Sequence, residues 1–374
     1  MVNSSQTIEN GATVYFFTTA ADTKPTYRRG ILDLIAYPPG HIIQFSYRRS
    51  DIHRSVLSTE REHVFKNGVV VFVDTERDKP QEGTYVPLRW VEILRIYPPA
   101  SQSHEPEDRI KFFLQIGSYV EYSGGARLGQ WDGVLKALDK VRQREAEGQR
   151  YFVVSGENLV GTKVPSDHVG WERLVRALSD SSRFRDAVFI RLHPLASFRT
   201  AAREVKLRPY RDGPRAYVLR PGQDYQLDFD VFIKTVRTAA PRVTLTCSGE
   251  IIKTTKPFQS VVSGLVKQYA ILSCKRTIEE AESALSVEIG EPVADVVNTP
   301  NPVFLLKIDV SRRILVAFIV LVFMGSLLVS SDKDALAVFN CSPDLWVWLA
   351  KIAGSALLAW AAYLGFRKFP SGQW

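Results

Sequence analysis

Short apolar runs separated by turn residues dominate residues 13–122. Six of these runs, rich in β-branched and aromatic residues, are TVYFFTT, RRGILDLIAY, HIIQFSYRR, GVVVFVD, TYVPLRWVEILRIY and RIKFFLQIGSYVEY. Proline, glycine, asparagine or aspartate bounds each run, which is typical of antiparallel strands. In the third run, alternation places Ile43, Phe45 and Tyr47 on one face. The pattern predicts six strands in a small antiparallel barrel or a strongly curved sheet.

The apolar spacing changes to a helical period between residues 124 and 184. Trp131, Leu135 and Leu138 share one face of a first predicted helix, and a second helix is predicted over 166–178. Two further apolar runs, YFVVS and AVFIRLHPL, have the composition of strands. We therefore predict an α+β N-terminal domain over residues 1–202, in which the helices cover the sheet.

A second series of strand patterns occupies residues 203–295. Its long alternating strand, central strand pair and closing alternating strand resemble an immunoglobulin-like β-sandwich. Cys247 and Cys274 are too close in sequence for the usual disulfide between the sheets, and no tryptophan lies between them. Residues 296–311, which carry prolines and asparagines, are predicted to link this domain to the last part of the chain.

The C-terminal part contains two long apolar stretches. Residues 314–331 are eighteen residues without a charge, and residues 345–366 are twenty-two residues with a single charge, that of Lys351. A helix needs about 20 apolar residues to cross the hydrocarbon core of a bilayer. The short polar segment between the two stretches therefore predicts a transmembrane helical hairpin over 312–368.

Basic residues flank the predicted hairpin on both outer ends. Arg312 and Arg313 precede the first stretch, and Arg367 and Lys368 follow the second. Because basic flanks are retained in the cytoplasm, both termini are predicted to be cytoplasmic and the turn external. No signal peptide pattern opens the chain. The sequence thus predicts an integral protein of the inner or plasma membrane.

Two residues within the second stretch are candidates for a role in helix packing. Lys351 lies about two turns from the outer end, where its stem can reach the headgroups, and a pore-lining or pairing role is the alternative. Gly354 allows close approach of another helix. That helix is either the first helix of the same hairpin or a helix of a second copy.

Composition and motifs exclude several classes of function. The chain has 48 lysines plus arginines against 40 acidic residues, a net charge of +8 that is not concentrated in any segment, so extended nucleic acid is not an expected partner. The six histidines form no metal-ligand motif, and His193 is expected to be an ordinary loop residue. We predict no metal and no cofactor. No nucleophile, phosphate-loop or kinase motif is present, which argues against an enzyme.

One basic and aromatic group in the N-terminal part indicates a ligand site. If Pro38-Pro39-Gly40 joins two neighbouring strands, the ends of those strands bring together Arg28, Arg29, Tyr47, Arg48 and Arg49. Guanidinium groups bind phosphates in a bidentate manner, and a tyrosine can stack on a base. These residues are predicted to bind an anionic, nucleotide-like ligand, and a solvated edge paired with nearby acids is the alternative.

Three functional hypotheses follow from the sequence. The first is a membrane-anchored interaction or scaffold protein, whose β-rich domains bind a cytoplasmic partner and whose hairpin localises it. The second is a sensor of a nucleotide-like or protein signal, coupled to a hairpin that self-associates and perturbs the lipid bilayer. That arrangement has the general layout of prokaryotic immune effectors. The third is an enzyme at the membrane face.

Overall fold

A computed structural model gives the fold of the chain. It describes residues 14–20, 25–53, 56, 67–76, 79–97, 109–120, 131–144, 152–156, 170–181, 183–198, 203–209, 215–234, 242–254, 264–275, 277, 280–290, 299–309, 312–329 and 343–368. The described helices are α1 (Pro25–Ala36), α2 (Asp132–Arg144), α3 (Trp171–Asp180), α4 (Arg312–Val329) and α5 (Pro343–Lys368). The prediction of a β-rich chain is confirmed.

The described strands form three sheets. In chain order they are β1 (Tyr15–Ala20), β2 (Ile42–Arg48), β3 (Asn67–Glu76), β4 (Lys79–Tyr97), β5 (Arg109–Tyr119), β6 (Val153–Ser155), β7 (Val188–Leu192), β8 (Ala196–Ser197), β9 (Arg203–Glu204), β10 (Leu207–Pro209), β11 (Arg215–Leu219), β12 (Asp224–Ile233), β13 (Arg242–Cys247), β14 (Ile252–Thr254), β15 (Gly264–Cys274), β16 (Ala281–Gly290) and β17 (Val303–Ile308).

The first sheet has six strands in the order β2-β5-β4-β3-β1-β6. The expectation of a wholly antiparallel sheet is wrong, because β1 pairs with β3 in parallel. A bridge between Ile52, just beyond β2, and Val153 of β6 joins the two ends of the strand order. Helices α2 and α3 contribute buried residues to the same core, as the helical spacing of Trp131, Leu135 and Leu138 predicted.

One predicted strand of this region is a helix. The run RRGILDLIAY belongs to α1, which begins at Pro25, a residue well suited to the first helical position. Ile31, Leu34 and Ile35 are buried at helical spacing, and the helix contacts strands β1, β4 and β7. The run fits both a strand pattern and a helix pattern. It forms a helix because its apolar residues pack against strands of two different sheets.

Arg89 of β4 holds the end of this helix. Its side chain is fully buried, and its Nη1 donates to the carbonyl oxygens of Leu34 at 3.3 Å and Tyr37 at 2.8 Å, while Nε donates to Gly117 O at 3.1 Å. The last carbonyl groups of a helix lack partners within the helix. Arg89 therefore acts as a buried C-terminal cap that ties α1 to the sheet.

Tyr119 of β5 completes the cap. Its hydroxyl donates to Ile35 O at 2.8 Å, and its ring centroid lies 3.9 Å from the guanidinium carbon of Arg89. A register shift between β4 and β5 occurs next to Arg89. Gly117 lies at this irregularity, where an added Cβ would be 2.9 Å from Trp90 O. The bulge thus needs glycine and directs the carbonyl of Gly117 to Arg89.

The other two sheets share one apolar core, as in a β-sandwich. One has the strand order β10-β11-β17-β16-β13, and the other has the order β14-β15-β12-β8-β9 with β7 also paired to β12. Strand β17 lies within the range predicted as a linker and pairs with both β11 and β16. Cys247 is on the first of these sheets and Cys274 on the second. The predicted domain boundaries themselves stay predictions.

The C-terminal apolar stretches form α4 and α5, which contact each other. Among the described helices, none combines the length and apolar character needed to cross a membrane. The predicted transmembrane hairpin over 312–368, and with it the integral membrane placement, are therefore wrong. A long apolar run specifies a helix that needs apolar contacts, but hydropathy alone does not show what supplies them. Here α4 and α5 supply part of these apolar contacts to each other. Their approach is close, since a Cβ added at Gly325 would lie 2.8 Å from Leu358 Cγ.

A polar junction ties α1 to the segment that enters β17. Asp33 Oδ1 accepts a hydrogen bond from Asn301 N at 2.6 Å, and the hydroxyl of Tyr37 donates to Val303 O at 3.1 Å. The ring of Tyr37 also packs edge to face on Phe304, with centroids 5.5 Å apart. Burial raises the pKa of Asp33 to about 6, although the hydrogen bond from Asn301 and the charge of Arg29 act in the opposite direction.

This raised pKa predicts a pH-dependent stability. Asp33 favours the folded state most below its unfolded pKa of about 3.8, and that contribution is lost as the pH rises through about 6. Asp33→Asn keeps an oxygen acceptor and cannot ionise. We expect it to raise the free energy of unfolding by about 1 to 3 kcal/mol at pH 8 and by almost nothing at pH 4.

Urea denaturation at the two pH values measures this difference. Asp132→Asn, which removes a partly exposed carboxylate paired with exposed Lys136 on α2, serves as the control and should change the free energy of unfolding by less than about 1 kcal/mol at both pH values. An Asp33→Asn gain of equal size at pH 4 and pH 8 would contradict the raised pKa.

Candidate functional site

The outer face of β12 is half covered and half open. Residues Tyr225, Leu227, Phe229, Val231 and Ile233 point into the sandwich core, so Asp228, Asp230 and Phe232 share the opposite face. Phe232 belongs to the N-terminal core, whereas Asp228 is only half-buried. The N-terminal core therefore covers one end of this face and leaves the other end accessible, with Asp230 at the boundary.

Strand β7 brings both cores to this boundary. Its Val188, Ile190 and Leu192 point into the sandwich core, and Phe189 points into the N-terminal core. Arg191 therefore shares the face of Phe189, and the register places it directly opposite Asp230. Helix α3 packs over the covered end, where the guanidinium carbon of Arg191 lies 5.4 Å from the Trp171 ring.

Asp230 is the centre of a charged cluster. Its side chain is 3% exposed, and Oδ2 accepts hydrogen bonds from Arg191 Nε at 2.7 Å and from Arg191 Nη2. His193 Nε2 lies 3.0 Å from the same oxygen. Burial alone would raise the pKa of Asp230, but the bonds from His193 and Arg191 outweigh it and hold the pKa below its ordinary value. The carboxylate is therefore ionised at neutral pH.

An open groove of about 460 Å³ begins at this cluster. It runs over β12 and β15 and reaches the residues of β8 and β9. Its lining is His193, Pro194, Ala196, Glu204, Asp228, Phe229, Asp230, Lys267, Gln268 and Tyr269. Tyr269 and Lys267 of β15 lie directly opposite Asp228 and Asp230, and the Tyr269 side chain is 59% exposed. The groove thus joins a rigid ionic cluster to an exposed aromatic ring.

The residues predicted to form a ligand site lie on different kinds of element. Arg28 and Arg29 are in α1, so the strand pair that was to bring them to Arg48 and Arg49 does not exist. Arg48 ends β2, Arg49 begins a short 3₁₀ turn, and both side chains are exposed. Tyr47 is buried, and its hydroxyl donates to Thr18 O at 2.9 Å. Stacking of Tyr47 on a base would require this packing to open, and anion binding by the four arginines stays a prediction.

The residues predicted for helix packing differ in their surroundings. Gly354 is buried, and its carbonyl oxygen would lie 3.1 Å from a Cβ on Gly325. Lys351 is exposed on α5. The structure therefore places Gly354 at a close approach of α4 and α5, and it identifies Gly325 as the opposing residue, which the sequence analysis did not single out.

The groove residues were not predicted as a site, and His193 was expected to be an ordinary loop residue. One local signal was available, because Asp230 interrupts the apolar pattern of DFDVFI in a strand that is otherwise buried. Its partners could not be read from the sequence, since Arg191 is 39 residues away along the chain. A buried carboxylate needs such a partner, but the pattern does not reveal which one it has.

Comparison with known proteins gives no family assignment. No protein-family model matches the chain, and no curated protein matches it at a significant level. The geometry of the groove therefore carries the functional argument. In the described part of the chain, no group of three or more His, Cys, Asp or Glu side chains is placed to hold a metal ion.

The lining of the groove is polar and aromatic. It offers carboxylates, an ammonium group, an imidazole and an aromatic ring on one sheet face. Protein interfaces combine an aromatic or arginine anchor with a polar rim in this way. The ionic cluster also ties β7 to β12 at one end of the groove.

Proposed function

We propose that this protein is an interaction protein that binds a partner through the groove beside Asp230. One observation carries the proposal: the N-terminal domain covers half of the outer face of β12 and leaves an open half that is rich in charge and carries exposed Tyr269. Large exposed aromatic side chains beside a preformed groove are typical anchors for a protein partner.

The position of the groove supports this role. It lies where the two cores meet, and β7 contributes to both. Ligand sites occur preferentially at such domain boundaries. Because Asp230 is buried and Tyr269 is exposed, the groove has a fixed end and an accessible end, which suits binding of a surface segment of another protein.

Photo-cross-linking tests the proposal. The full chain with Tyr269→p-benzoylphenylalanine, which keeps an aromatic ring at the groove, is expressed in its native host and irradiated. We expect a discrete cross-linked adduct, and the additional change Asp228→Lys should reduce its yield at least tenfold. Tyr97→p-benzoylphenylalanine is the matched control, since Tyr97 is a tyrosine on β4 that is 42% exposed and does not line the groove.

The control position should not produce the adduct. Equal adduct yields from positions 97 and 269 would show that the groove is not the binding surface. The same conclusion would follow if Asp228→Lys left the adduct yield from position 269 unchanged.

A further inference from the structure

Helices α4 and α5 carry most of the large apolar side chains that the described part of the chain exposes. Nine of the fourteen such side chains lie on these two helices. Those on α5 are Trp348, Leu349, Ile352 and Trp360, which are between 41% and 61% exposed. Contiguous apolar surface of this kind marks a place where another molecule binds.

The exposed face of α5 is the face turned away from α4. Gly354 is buried, and its carbonyl oxygen would lie 3.1 Å from a Cβ added at Gly325 of α4. With 3.6 residues per turn, Ile352 and Ala356 each lie about 160° around the helix from Gly354. Both are exposed. Packing of α4 on α5 therefore leaves the opposite face of α5 uncovered.

Four exposed residues on this face have the spacing of a coiled-coil seam. Leu349, Ile352, Ala356 and Ala359 follow one another at intervals of three, four and three residues. This alternation keeps a row of side chains on the line along which one helix packs against another. We call these four residues the α5 seam.

The α5 seam is complementary to itself when two copies run antiparallel. Its first half carries the large side chains of Leu349 and Ile352, and its second half carries the small side chains of Ala356 and Ala359. Antiparallel pairing centred near residue 354 places Leu349 opposite Ala359 of the other copy and Ile352 opposite Ala356. Each large side chain then meets a small one, whereas parallel pairing would place large against large and small against small.

The charges at the ends of α5 favour the same orientation. Asp344 is the second residue of the helix, and Arg367 and Lys368 are its last two. Antiparallel pairing brings the acidic start of one helix beside the basic end of the other and also opposes the two helix dipoles. The charged residues of α4 are Arg312 and Arg313, both at its start, so two copies of α4 would gain no such pairing.

We propose that two copies of this chain form a dimer in which the outward faces of their α5 helices pack antiparallel along the α5 seam. The same surface contributes from both copies, as a two-fold axis requires. Trp348 and Trp360 lie on opposite flanks of the seam, where the second copy covers part of their exposed area. The contact uses no residue of the groove beside Asp230, so each dimer carries two such grooves.

Light scattering on a dilution series of the full chain tests the dimer. We expect a mass of twice 42.2 kDa that falls toward the mass of one chain on dilution. Ile352→Glu should raise the dissociation constant at least tenfold, because it places a carboxylate in the apolar seam. Val320→Glu is the matched control, since Val320 is a similarly exposed apolar residue on α4, and it should leave the dissociation constant unchanged.

Two results of this experiment would overturn the proposal. One is a parent chain that has the mass of a single copy at every concentration. The other is a dimer that Ile352→Glu leaves intact. Because both substituted side chains are about half exposed in the single chain, circular dichroism should show that both variants are folded.

Disulfide cross-linking tests the orientation of the helices. Chains carrying Ile352→Cys are mixed with chains carrying Ala356→Cys and oxidised, and the linked peptides are identified by mass spectrometry. Antiparallel pairing predicts that links between positions 352 and 356 exceed links between two copies of position 352. A predominance of links from 352 to 352 would indicate parallel helices and would reject the proposed arrangement.

Other occupants of the α5 face would appear as a different outcome. A chain that stays monomeric and floats with phosphatidylcholine vesicles in a density gradient would assign this face to a lipid surface. A chain that stays monomeric alone and loses a protein partner through Ile352→Glu would assign it to that partner. Either result would overturn the dimer, and neither would affect the cross-linking test of the groove at position 269.

Discussion

Replacing Arg89 by methionine is expected to lower the free energy of unfolding by about 3 to 5 kcal/mol. Arg89 is fully buried and donates to the carbonyl oxygens of Leu34, Tyr37 and Gly117. Methionine fills similar space but donates no hydrogen bond, so these acceptors would be left without their partner in the interior. The loss should be largest at the end of α1, where Arg89 replaces the missing helical donors.

Chemical denaturation measures this effect. Arg95→Met is the matched control, because Arg95 is exposed on the same strand, and we expect that variant to remain within about 0.5 kcal/mol of the parent. Arg89→Lys should recover only part of the loss, since one ammonium group cannot reproduce the planar fork that contacts separate carbonyls and stacks on Tyr119. An Arg89→Met protein as stable as Arg95→Met would contradict the role of Arg89 as a cap.

Replacing Asp230 by asparagine is expected to lower the free energy of unfolding by about 2 to 4 kcal/mol at neutral pH. The change removes the charge of the Asp230 side chain, which is 3% exposed, and leaves Arg191 without its counter-charge. Asp228→Asn is the control on the same face of β12, and it should cost less than about 1 kcal/mol because Asp228 contacts a neutral amide.

The pH dependence of the Asp230 variant has a defined sign. The pKa of Asp230 in the folded protein lies below its ordinary value of 3.8, so its stabilising contribution is present above that pH and is lost as the pH falls through the folded pKa. Asparagine does not titrate. The difference in unfolding free energy should therefore be full between pH 6 and 8 and should shrink below about pH 4, as denaturation curves across this range would show. A difference that does not change with pH would mean that the ionised carboxylate is not its source.

The sequence predicted an element correctly where the local pattern was compatible with only one type of secondary structure. Alternation in HIIQFSYRR placed its strand correctly, and helical spacing in residues 131–144 placed α2. The run RRGILDLIAY had two solutions, because it can be divided into a strand or a helix of similar apolar character. The choice depended on contacts with β4 and β7, which are distant in sequence. The same limit explains the C-terminal stretches, where helices were correctly expected and their surroundings were not.

The candidate site was largely hidden from sequence analysis for a related reason. Arg89 binds backbone carbonyls, and backbone acceptors have no signature in a sequence. Asp230, Arg191 and His193 meet only when β7 and β12 pair. Arg48 and Arg49 were predicted to bind a ligand because clustered charges can be recognised in a sequence. The partner that compensates a buried charge cannot be recognised in the same way.

The central claim is that the groove beside Asp230 is a partner-binding surface, and photo-cross-linking from position 269 tests it most directly. We predict a discrete adduct from this position that Asp228→Lys reduces at least tenfold and that position 97 does not produce. Adducts of equal yield from both positions, unaffected by Asp228→Lys, would contradict the claim.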